Sequence, residues 1–71
     1  MDRVQISSSN LASVGYDEKT QVLEIEFRNG SIYQYFNVPS SIYSGLMGAV
    51  SHGRYFDAYI KKGMFPHKKI K

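Results

Sequence analysis

A chain of 71 residues with no cysteine, six Tyr and four Phe, and a formal net charge of +3 excludes several classes at once. At this length it is one domain with a thin core, disulfides and thiolate metal sites are ruled out, and no apolar run approaches the roughly 20 residues needed to span a bilayer. The charge is unevenly placed, with four basic and six acidic residues over Met1–Asp57, then five lysines and no acid over Ala58–Lys71.

The opening MDRVQISSSN lacks the apolar segment of a secretory signal, so the cytoplasm is the expected compartment. Leu11–Asp17 alternates at Ala12, Val14 and Tyr16, which predicts a first strand. DEKT then reads as a turn. Gln21–Phe27 alternates strictly, with Leu23, Ile25 and Phe27 on one face and Glu24 and Glu26 on the other. Asn29-Gly30 follows, a hairpin signal because both residues tolerate positive φ. Ser31–Val38 supplies a third strand and completes a meander.

Pro39 cannot donate to a ladder, and its fixed φ suits the first turn of a helix. Beyond it, Ile42/Leu46, Tyr43/Met47 and Leu46/Val50 fall at i, i+4 and predict a short amphipathic helix. Gly45 and Gly48 each cost such a helix about 1 kcal/mol relative to Ala, so it must lean on the sheet. A second helix is expected from Ser51 as N-cap, with Tyr55, Phe56, Tyr59 and Ile60 on one face. Lys61 and Lys62 complement the dipole of its last turn, and Gly63 follows as C′ residue. The expected architecture is α+β: a three-stranded antiparallel meander with two short helices on one sheet face. It forms a single domain, 1–71, with its core over about 7–65 and a basic tail at 66–71.

The Asn-Gly hairpin admits two registers, and a one-residue slip moves every side chain to the other face. A two-residue turn pairs Arg28 with Ser31 and gathers Leu23, Ile25, Phe27, Ile32 and Phe36 on one face, with Tyr33 and Tyr35 on the other beside Glu24 and Glu26. A three-residue turn closed by Gly30 as a bulge pairs Ile25 with Tyr33 and Leu23 with Tyr35, placing both tyrosines in the core. Apolar counting leans toward the first register. The choice remains open at the level of sequence.

Taken in order, SSSNLASVGYD, LEIEF, NGSIYQYFNVP, SHGRYF and Ile60 resemble the KTSC domain family, over about Ser7–Phe65. The most specific parts are Tyr33-x-Tyr35, Val38-Pro39 and Ser51-x-Gly53-x-Tyr55-Phe56. The family takes its name from a C-terminal extension of some lysyl-tRNA synthetases, and it includes small stand-alone bacterial proteins, the form this chain resembles. What the resemblance implies is an association with tRNA handling, with no established activity, catalytic residues or cofactor.

The residues themselves support a non-catalytic binding module. Tyr33 and Tyr35 on an open sheet face could stack single-stranded bases. Arg54, Lys61, Lys62, Lys68 and Lys69 could neutralise phosphates of a single-stranded or transfer RNA. Ser51 and Gly53 open the second helix, where free N–H groups attract an anion, although Ser51 as a cap and the lysines as a solvated end explain the same residues. Catalysis and metal binding find little support. Ser51 and His52 are mere sequence neighbours, His52 and His67 are distant, and Glu24 and Glu26, roughly 7 Å apart by the strand rise, read as solubilising. The rival reading is a protein-interaction module, a homodimer or an adaptor, because a three-stranded meander leaves two edges open and IYQYF is β-prone and uncharged.

Overall fold

A computed structural model describes residues 1–71. Five antiparallel strands form one sheet in chain order: β1 (Val4–Gln5), β2 (Leu11–Asp17), β3 (Val22–Phe27), β4 (Ile32–Tyr35) and β5 (His67–Lys69). Between β4 and β5 come α1 (Ser40–Gly48) and α2 (His52–Tyr55), the latter running directly into a π-helical stretch (Phe56–Lys61). The α+β class and the central meander agree with the sequence, but three strands become five. The added pair are the outermost strands, and they are two and three residues long.

The segment expected to be a basic tail is therefore part of the sheet. His67, Lys68 and Lys69 pair with Tyr35, Gln34 and Tyr33, and the Phe36 N–H donates to the Pro66 carbonyl at 2.8 Å. The β-prone β4 is consequently an interior strand, covered by an edge strand rich in lysine. Charged, short edge strands resist pairing with other chains, so the aggregation hazard of IYQYF is met within the chain itself.

The hairpin adopts the three-residue turn. The Gly30 N–H donates to the Phe27 carbonyl and the Phe27 N–H to the Ser31 carbonyl, each at 2.9 Å. Gly30 sits at φ 92°, a conformation that favours glycine. Leu23 then faces Tyr35 and Ile25 faces Tyr33, overturning the register that apolar counting favours. In β2 a bulge between Leu11 and Ser13 absorbs Ala12, so Leu11 turns inward with Val14 while Ser13 turns to the other face.

The core lies between the helices and one sheet face, where Leu11, Val14, Leu23, Ile25, Tyr35 and Val38 pack with Leu46, Phe56 and Ile60. Tyr16 anchors the chain entering α1, stacking on Tyr43 at 4.7 Å and donating its hydroxyl to the Val38 carbonyl. Ser51 caps α2, accepting from the Arg54 N–H at 3.3 Å, as the sequence leads one to expect. Of the four residues expected to share the inner face of the second helix, Phe56 and Ile60 are buried, Tyr55 packs partly against α1 at Gly45, and Tyr59 is exposed. The positive φ that follows this helix falls on Met64, not on Gly63. No helix is long and apolar enough to cross a membrane.

Candidate nucleic-acid interface

The two sheet faces have different chemistry. On the face away from the helices, Ser13, Glu24, Glu26 and Gln34 form a hydrogen-bonded cluster closed by Arg3. Arg3 pairs with Glu24 and also donates to the Ser13 hydroxyl. The N-terminal residues cross so closely over Gly15 that an added Cβ would lie 2.8 Å from the Asp2 carbonyl oxygen. Glu24 is thus buried, not a solubilising exposed carboxylate. Burial raises its pKa, but hydrogen bonds from Gln34 and Arg3, with the charges of Arg3 and the N-terminal amine, outweigh that and hold it below the ordinary value. Tyr33 and Tyr35 are absent from this face, so the tyrosine platform expected on the open side of the sheet is not there.

The rings gather instead on the helix side, beside β5. A groove of about 420 Å³ is lined by Phe27, Tyr33, Tyr35, Phe56, Phe65 and His67, together with Asn29, Ser31 and Lys61. Ring centroids lie 5.4 Å apart for Phe27–Phe56, 5.6 Å for Tyr35–Phe56 and Tyr35–His67, and 6.1 Å for Tyr33–His67. The helices cover the middle of the sheet and leave this flank open, so Tyr33 is half-buried and His67 exposed while Tyr35 is largely buried. Burial, with Tyr33 nearby, pushes the Tyr35 hydroxyl up to about 12, so it remains a proton donor at neutral pH.

No acidic side chain lines the groove. Lys61 belongs both to it and to an adjoining polar depression of about 360 Å³, which adds Ser9, Asn10, Arg28 and Asp57. A third depression, containing Ser51, Gly53 and Arg54, continues from the second through Ser9, Asn10, Gly53 and Asp57.

The residues singled out in the sequence therefore separate. Tyr33, Tyr35 and Lys61 meet at the groove, and Lys69 lies opposite Tyr33 in the ladder and so emerges on the same face. Lys68 pairs with Gln34 and projects to the polar face. Lys62 is exposed at the end of the helix, while Ser51, Gly53 and Arg54 stand apart at its beginning. Phe27, Phe56, Phe65 and His67 are groove residues that sequence reasoning did not group. The sequence carries no signal for His67, since His67-Lys68-Lys69 is polar throughout and shows no apolar alternation. No group of three or more His, Cys, Asp or Glu side chains converges.

The family model for the KTSC domain matches residues 7–65 of this sequence. The chain belongs to the KTSC domain family. A crystal structure of a KTSC domain protein from Yersinia pestis is 46% identical, with a TM-score of 0.93, and the match covers 99% of this chain and 97% of that one. An uncharacterised protein of Stutzerimonas stutzeri is 40% identical over 99% of both chains. A lysine–tRNA ligase of Nostoc punctiforme is 42% identical over 87% of this chain, which spans only 11% of the ligase. The KTSC segment matched in the ligase is thus a minor part of that enzyme.

Proposed function

We propose that this KTSC domain is a non-catalytic module that binds single-stranded RNA along the flank of its sheet, with base stacking on the groove rings and phosphates near Lys61 and Lys69. The observation that carries the reading is the groove itself: six rings and a lysine, no carboxylate, open to solvent. Base stacking on such rings contributes about 1–3 kcal/mol per base, while lysines add a salt-sensitive term. Similarity to a lysine–tRNA ligase supports RNA, and transfer RNA in particular, as the polyanion. Arg54, with Ser51 and Gly53, would meet the strand at the far end of the adjoining depressions, and Lys62 and Lys68 would add long-range attraction only. A cytoplasmic site of action accords with a chain lacking cysteine.

The test is titration of a fluorescent eight-nucleotide single-stranded RNA in about 50 mM salt, repeated at about 200 mM, where phosphate contacts weaken steeply. Binding that falls with salt and is weakened by Lys61→Ala is expected, and absence of binding at the lower salt removes the reading. Point substitutions are required because deleting the chain after Pro66 would strip β5 from β4. A second reading, docking of a protein or of another copy, is favoured by the exposed Val50, Tyr59 and Met64. Sedimentation without RNA separates the two, since a salt-insensitive dimer supports docking.

A further inference from the structure

Tyr35 is only 7% exposed, yet its hydroxyl makes no hydrogen bond within the protein, unlike that of Tyr16, which donates to Val38. No fully buried side-chain polar atom lacks a partner, so the Tyr35 oxygen reaches solvent, and this groove is the surface depression that Tyr35 lines. A largely buried tyrosine packed against Phe56 and His67, with its one polar atom free, offers a donor to an otherwise aromatic site. Pockets that orient small ligands have this composition, an aromatic lining with few polar groups.

Size and surroundings narrow the occupant. About 420 Å³ lies at the low end of the 300–1,000 Å³ typical of small-ligand sites, which is room for one nucleotide and not for a run of stacked bases. The adjoining depression is lined mainly by polar side chains, Ser9, Asn10, Arg28, Asn29, Asp57 and Lys61 among them. Its two cations, Arg28 and Lys61, outnumber its one carboxylate, Asp57, so it suits sugar and phosphate better than a second base. Lys61 stands at the junction of the two.

Resting on the RNA reading above, we infer that the groove is a pocket for a single unstacked nucleotide. The base lies against Tyr33, Phe65 and His67, the Tyr35 hydroxyl donates to an acceptor on the base, and Lys61 holds the phosphate. Recognition then depends on one splayed-out base, as occurs at loops and chain ends, with neighbouring nucleotides contributing mainly through their backbone.

The experiment is titration of the isotope-labelled full chain with adenosine 5′-monophosphate, followed by NMR, together with competition by the same nucleotide against the labelled eight-nucleotide RNA. Backbone amide shifts centred on Tyr33, Tyr35, Lys61 and His67, and displacement of the RNA at millimolar nucleotide, are expected. Tyr35→Phe keeps the ring and the fold and should weaken nucleotide binding about three- to tenfold, the loss of one neutral hydrogen bond. Lys61→Ala, at an exposed position, should weaken it independently. If the RNA binds but the mononucleotide neither displaces it nor shifts these amides, the pocket is wrong and the RNA reading survives. If neither binds, both fail. A response centred elsewhere, or one unchanged by Tyr35→Phe, also overturns the pocket.

Discussion

The two faces of the sheet are covered by opposite means. Toward the helices, Leu23 and Ile25 are fully buried among Val14, Leu46 and Ile60. On the other side, Glu24 is buried beneath Arg3 and hydrogen-bonded to Gln34. One face excludes water with hydrocarbon, and the other with a short N-terminal segment carrying a countercharge. The contrast also locates function. On the polar face Glu24 and Glu26 are matched by Arg3 and Lys68, whereas the ring-lined flank of the helix side has a lysine and no carboxylate.

The sharpest way to break the comparison is Ile25→Ala. Deleting this fully buried side chain should cost about 2–5 kcal/mol, transfer and cavity terms together, measurable as a fall in the urea midpoint. In a domain of this size that approaches the whole stability. A cost under about 1 kcal/mol would mean that the apolar face is not the principal source of stability.

Arg3→Ala probes the opposite face. Glu24 would lose a charged donor, at a cost of about 1–2 kcal/mol after allowance for the partly exposed arginine. Because the Glu24 pKa is lower in the folded protein than its ordinary value of 4.5, its carboxylate contributes stability above that pH and loses it as pH falls through the lowered value. Stability curves of wild type and variant, measured by urea unfolding between neutral pH and about pH 3, should differ most at neutral pH and converge in acid. Parallel curves would show that Arg3 is not what holds the carboxylate ionised.

Much of the fold could be read from local pattern. Strict alternation in β3, the Asn29-Gly30 turn, Pro39 before α1 and Ser51 at the start of α2 are all local signals, and all hold. The edge strands were hidden because Val4–Gln5 and His67–Lys69 are very short, and lysines have low strand propensity. Their pairing also bears on the register. Apolar counting assumes one wet face, but Ile32 is buried on the face away from the helices, its N–H donating to the Lys71 carbonyl and its carbonyl accepting from Ile70. With both faces covered, Ile32 is buried without facing the helices, and its apolar character does not require the two-residue turn. Of the candidate site, Tyr33, Tyr35 and Lys61 were legible one by one. Their meeting with Phe27, Phe56, Phe65 and His67 depends on contacts among β3, β4, the π-helical stretch and the C-terminal segment, which no sequence spacing records.

Tyr33 and Gln34 are adjacent on β4 and point to opposite faces, so they carry the central claim between them. The deciding measurement is the affinity of the eight-nucleotide RNA for Tyr33→Leu, which keeps apolar volume but removes the ring, set beside that for Gln34→Ala. Tyr33→Leu should weaken binding by about 1–3 kcal/mol, the value of one stacked base, while Gln34→Ala lowers stability and leaves affinity unchanged. Equal losses from the two, or a loss from Gln34→Ala alone, would place the RNA on the polar face and contradict the account.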